Sequence, residues 1–190
     1  MKYRFWFNRI SATDDTSLNS YYKNCFYKFE KIVFLMLELA DFLKMPDGPK
    51  KTEEDLICDS GLRGGPEYCH VYILELEEEG TGNIIPIGYT CCYFCYSTWQ
   101  GRSYFLEDIY VKPEYRKLGA GSRIFHGIAA NAKKYGAKRV DFHVNEWNEA
   151  RKFYEKLGAI DLSEIETEKW HLFRVHEDQI AKLADEEKNL

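Results

Sequence analysis

The sequence predicts an α/β fold in one domain: a mixed, mostly antiparallel central sheet flanked by helices. Three observations predict it. Strand-like runs at 68–76, 84–96 and 103–111 follow one another across Gly80-Thr81-Gly82-Asn83 and Thr98-Trp99-Gln100-Gly101, the pattern of an antiparallel meander. The third run breaks at Lys112-Pro113, passes through Arg116-Lys117-Leu118-Gly119-Ala120-Gly121-Ser122 and enters a helical pattern. Segments with apolar residues at helical spacing stand on either side of the meander. At 190 residues the chain is long enough for one well-packed domain and short for two.

The elements follow in order. Ile32, Leu35, Met36, Leu39, Phe42 and Leu43 recur at helical spacing and give an amphipathic first helix. Thr52 with Asp55 forms a capping-box pattern, opening a second helix that stops near Gly61. After the meander, Ile124, Phe125, Ile128, Ala129 and Ala132 make one face of a helix ending at Gly136, and 139–144 alternates as the next strand. A short helix through Phe153 and Leu157 stops at Gly158, 171–175 is read as a further strand, and Ile180, Leu183 and Ala184 mark a C-terminal helix.

A strand, a glycine-bearing turn and a helix N-terminus in that order make an anion cradle. The first backbone N–H groups of a helix have no partner within it, and the helix dipole favours negative charge there. Gly119 and Gly121 lack a Cβ, so they can take positive φ and let phosphate oxygens approach the main chain, while Arg116 and Lys117 supply charge at the rim. The expected guest is a pyrophosphate. There is no GxGxxG, and no Lys-Ser/Thr follows the second glycine, so neither the dinucleotide fingerprint nor the P-loop fits.

A net charge of −5 with scattered Lys and Arg argues against a nucleic-acid partner, which needs a basic face, and suits a cationic substrate. Lys2, Arg4 and Arg9 interrupt the opening aromatic run, so no secretory leader is read there. The longest apolar run, 32–37, is far too short to span a bilayer. A cytoplasmic protein without a membrane partner is the expectation, and the six cysteines are read as reduced thiols. Cys92-Tyr93-Phe94-Cys95 has the spacing of a zinc half-site, but residues three apart on a strand face opposite ways and no second pair completes a tetrad. The five histidines lack i, i+4 pairing, and no metal site is expected.

Arg116-x-x-Gly119-x-Gly121 after a strand resembles the acetyl-CoA-binding motif of the acetyltransferases of the GNAT family. Tyr96-Ser97-Thr98-Trp99-Gln100-Gly101-Arg102, Leu106-Glu107-Asp108-Ile109-Tyr110-Val111, Glu146-Trp147-Asn148-Glu149, Phe153-Tyr154-Glu155-Lys156-Leu157-Gly158-Ala159 and Asp161-Leu162-Ser163 are together similar to the spermidine/spermine and thialysine acetyltransferases. The wording of the first two is closer to the thialysine, or diamine acetyltransferase 2, branch. The resemblance covers roughly residues 32–187.

The resemblance implies the GNAT fold, acetyl transfer from acetyl-CoA to a primary amine of a small cationic metabolite (thialysine, diamine or polyamine), and a homodimer. It implies that residues 116–122 and the backbone of Ile109, Tyr110 and Val111 hold acetyl-CoA, with Asn148 touching it at the start of the following helix. An alkylammonium of pKa about 10.4 is only about 0.04% neutral at pH 7, a deficit near 4.6 kcal/mol, so a proton acceptor is required. Glu107 matches the family residue for that task, directly or through water, and Asp108 adds a carboxylate nearby. Neighbours on a strand face opposite sides, so only one of the two, Glu107, is expected to face the cleft. Tyr154 matches the family's general acid for the departing thiolate.

Phe42, Glu107, Asp108 and Glu166 are the implied substrate contacts. Three departures stand out. Relatives follow the Phe42 position with Glu where this chain has Leu43, the segment from Asn148 to Tyr154 is one residue shorter than the family pattern, and 16–30 reads as an insertion between an opening strand near 9–13 and the first helix. Two alternatives stay open: a protein-lysine acetyltransferase, and a catalytically silent acyl-CoA-binding relative.

Overall fold

The computed structural model describes residues 3–10, 18–45, 47–165 and 172–187. The chain divides into two compact units, Met1–His143 and Val144–Leu190.

The first unit contains β1 (Tyr3–Ile10), α1 (Leu18–Phe42), α2 (Glu53–Asp59), β2 (His70–Glu78), β3 (Ile84–Ser97), β4 (Gly101–Val111), α3 (Ala120–Lys134) and β5 (Val140–Phe142). The strands lie in one sheet in sequence order, antiparallel from β1 to β4, with β5 parallel to β4. That is the expected mixed, mostly antiparallel sheet. The α3 crossover supplies the one parallel step, as a parallel neighbour requires.

The period-2 pattern of the strands buries both faces. Against α1 and α2 lie Val71, Ile73, Tyr89 and Tyr110, packed with Phe29, Ile32, Leu35, Leu56 and Ile57. Against α3 lie Leu74, Ile87, Cys92, Tyr104 and Leu106, packed with Ala120, Ile124, Ile128 and Ala132. Cys92 is thus a core residue. Close approach of α3 to the sheet depends on Gly127, where a Cβ would fall 2.3 Å from the Phe7 ring.

The first helix begins well before the apolar spacing that announces it. Residues 18–30, read as an insertion, form the first turns of α1 itself, and 11–17 lie outside the described residues. No Gly or Pro interrupts 18–42, so the helix continues even where its polar and aromatic residues hide the period. The capping box of α2 forms as read: Thr52 accepts from the Asp55 N–H, and the Asp55 carboxylate accepts from the Thr52 N–H.

The second unit contains α4 (Ala150–Lys156) and α5 (Glu177–Glu187), with a 3-10 turn at Leu162–Glu164. The strand expected at 171–175 is not formed over 172–175, and His171 lies outside the described residues. Leu172 and Phe173 are both exposed, so the alternation there is matched to no buried face. No helix among the described residues is long and apolar enough to cross a membrane.

Candidate active site

The carboxylates of β4 sit at a break in the ladder. Cys91 pairs with Asp108 but Cys92 pairs with Leu106, so Glu107 is an extra residue on β4 with no partner. A bulge of this kind resets the side-chain alternation. Leu106 points into the α3 core and Tyr110 into the α1 core, while Tyr93 and Tyr89 of β3 reach Glu107 and Asp108, two of the three residues between. Tyr93 donates to Glu107 Oε2 at 3.1 Å, and Tyr89 donates to Asp108 Oδ2 at 3.0 Å. Both carboxylates therefore lie on the α1 side of the sheet. This overturns the expectation that only one of them could face a common side, because strand alternation holds only where the pairing is regular.

Their environments differ. Glu107 is exposed, whereas burial raises the Asp108 pKa, opposed by the Tyr89 hydrogen bond and reinforced by the Glu107 charge. Asp108 thus holds a proton at a higher pH than an ordinary carboxyl. Burial, then Glu107, push the Tyr93 hydroxyl up to about 12.

Beyond the carboxylates, β4 runs on to Val111 while β5 pairs only with Tyr104, Phe105 and Leu106. The backbone of Ile109, Tyr110 and Val111 therefore has one edge without a strand partner among the described residues. An unpaired edge of this kind can hydrogen-bond an extended polar ligand.

The cradle follows β4 through a 3-10 turn, Pro113–Tyr115. Lys117 and Gly119 have positive φ, 63° and 87°, and Gly119 is the N-cap of α3. The first bond of the helix runs from the Arg123 N–H to the Gly119 C=O at 2.9 Å, so the N–H groups of Ala120, Gly121 and Ser122 precede the intrahelical ladder. Gly121 is an ordinary helical residue, so the second left-handed position is Lys117 and not Gly121. Leu118 is exposed between the two left-handed positions. Arg116 ties the turn to the sheet: its Nε donates to the Val111 C=O at 2.8 Å, and its guanidinium lies over Phe42 at 4.8 Å and Tyr110 at 5.7 Å. The structure thus gives Phe42 a contact on the cradle's arginine. Free amides, a dipole and two cations fit a pyrophosphate.

In the second unit, Tyr154 is the buried residue of α4, packed edge-on against Phe153. Burial pushes its hydroxyl up to about 12, so it stays protonated through neutral pH. Asn148 Oδ1 accepts from the Ala150 N–H at 3.0 Å, which makes it the turn residue that opens α4. Glu166 lies outside the described residues.

Sequence reasoning missed Tyr89 and Tyr93. Their positions four apart on β3, which place them on one face, were a usable signal; the bulge that brings both carboxylates into reach was not written in any pattern.

The model of the acetyltransferase (GNAT) family matches residues 34–159. Thialysine N-epsilon-acetyltransferase of Bos taurus is 43% identical over 156 residues, covering 80% of this chain and 89% of the relative. The Sus scrofa protein of the same name is 41% identical over 155 residues, covering 80% and 89%. Among solved structures, aminoglycoside N-acetyltransferase AAC(6')-Iy in complex with CoA aligns with a TM-score of 0.59 at 14% identity, covering 92% of this chain and 97% of that one, a likeness of fold.

Proposed function

This chain belongs to the acetyltransferase (GNAT) family and transfers an acetyl group to an amine, and we propose that the amine is that of a compact cationic metabolite of the thialysine type. The carboxylate pair on the α1 side of β4 carries the reading: two anionic groups on one side suit a cation that must shed a proton before it attacks. The names of the relatives support the substrate class.

Acetyl-CoA supplies the activated acetyl group. The residues for holding it are the cradle from Arg116 to Ser122 and the free edge of Ile109, Tyr110 and Val111, with Asn148 a further contact. Glu107 and Asp108 accept the amine's proton, and Tyr154, protonated at neutral pH, is the proton source for a thiolate leaving group. We further infer a homodimer in the cytoplasm, with Phe42 and Glu166 near the acceptor, as the family resemblance implies.

Cofactor binding is tested at Gly119. A Cβ there meets no protein atom within 4 Å, so Gly119→Val should fold. The left-handed φ costs an L residue about 1–2 kcal/mol, and relieving it displaces the free amides. Acetyl-CoA affinity should fall about tenfold or more by calorimetry. Unchanged affinity would remove the cradle from the cofactor site.

Substrate choice is tested at Leu43. Long polyamines carry further cations that need partners, and Leu43 offers none; Glu38, earlier on α1, is already paired with Lys112 at 3.3 Å. A missing partner for a half-buried charge costs about 1–3 kcal/mol, roughly 5- to 150-fold in kcat/KM. Thialysine should therefore be acetylated with higher kcat/KM than spermidine, and Leu43→Glu should raise the spermidine value more. Faster turnover of spermidine by the wild-type protein would contradict the substrate assignment.

A further inference from the structure

Two tyrosine hydroxyls of β3 end on the two carboxylates of β4, and neither has a part in the chemistry above. Tyr89 is fully buried in the core beneath α1 and lies opposite Tyr110. Its hydroxyl donates to Asp108 Oδ2 at 3.0 Å, while the neighbouring Thr90 hydroxyl donates to the backbone carbonyl of Asp108 at 2.6 Å. The carboxylate and the backbone of Asp108 are thus both fixed from β3. Tyr93 is half-buried, stacks on Phe105 and donates to Glu107. A donor immobilised by core packing restricts its acceptor to one orientation, and a proton-accepting group works only within a narrow range of positions.

We propose that Tyr89 is a positioning residue for acetyl transfer, its hydroxyl fixing the Asp108 carboxylate in the orientation in which it accepts the amine's proton. The proposal rests on the reading of Asp108 as a proton acceptor. The titratable groups around Asp108 are Glu107 and Tyr110 on β4, Tyr89, Cys91 and Cys92 on β3, Cys69 just before β2, which meets Cys91, and Glu38 on α1, which meets Tyr110 and pairs with Lys112. Burial raises the Asp108 pKa, the Tyr89 hydrogen bond lowers it and Glu107 raises it, so loss of the Tyr89 hydroxyl raises it further.

The test titrates the Asp108 carboxyl by carbon NMR in aspartate-labelled protein and measures kcat against pH at saturating thialysine. In Tyr89→Phe the Asp108 midpoint and the acid limb of kcat should both move up by about one to two pH units, the worth of a hydrogen bond to a charged group. Tyr93→Phe, which removes the Glu107 donor, should move the Asp108 midpoint much less. Fluorotyrosine at position 89 keeps the packing but is a stronger donor, and should move both midpoints down. It also decides the matter if Tyr89→Phe does not fold. Opposite shifts from the two replacements are not expected of a purely structural tyrosine. An unmoved midpoint in folded Tyr89→Phe or in the fluorotyrosine protein, with Asp108→Asn inactive, overturns the proposal alone. A wild-type kcat profile in Asp108→Asn overturns the role of Asp108 and the proposal with it.

Discussion

Replacing both carboxylates, Glu107→Gln with Asp108→Asn, should lower kcat at pH 7 by about 100- to 10,000-fold, the range expected when general base catalysis is removed. The neutral fraction of an alkylamine is about 0.04% at that pH, so a protein without a proton acceptor waits for the rare neutral substrate. The defect should shrink as pH rises from 6 to 10, because the solvent increasingly does the deprotonation. The wild-type protein should behave in the opposite sense at the acid end. The Asp108 pKa is raised, so the base is lost as pH falls through a value above that of an ordinary carboxyl. A loss of equal size at every pH would take both residues out of the base role and leave them as structural carboxylates.

Tyr154→Phe should lower kcat by about 10- to 1000-fold with acetyl-CoA affinity nearly unchanged. The substitution keeps the ring and its edge-on contact with Phe153 and removes only the hydroxyl. Burial holds that hydroxyl near pKa 12, so it carries its proton at every pH where the protein is assayed, as an acid must. Isothermal titration and steady-state kinetics on the same preparation check both halves. A fall in affinity equal to the fall in kcat/KM, with kcat intact, would make Tyr154 a binding residue.

Local patterns carried much of this reading. The meander, the α2 capping box and the strand-turn-helix of the cradle were legible because each depends on short-range chemistry: β alternation, an Asp three residues after Thr, glycine before a helix. The start of α1 was hidden because helix continuation needs only the absence of breakers, and the polar and aromatic residues of 18–30 carry no clear apolar period. At the cradle, glycine marked Gly119 correctly, but the second left-handed residue is Lys117, and a lysine announces no such conformation. The bulge at Glu107 was illegible for a different reason. Register is a property of two strands, so one extra residue on β4 shows only against β3, and it decides where Asp108 points. The strand expected at 171–175 failed over 172–175, where Leu172 and Phe173 are exposed and the alternation has no buried side to match.

Acetyl transfer to a free small amine is reported most directly by steady-state CoA release. With acetyl-CoA saturating, wild-type protein should release CoA with thialysine at a kcat/KM above those for spermidine and for a lysine-containing peptide, with an acetylated side-chain amine as the product by mass spectrometry. Faster release with the peptide, or no release with any amine by a protein that still binds acetyl-CoA, would contradict it.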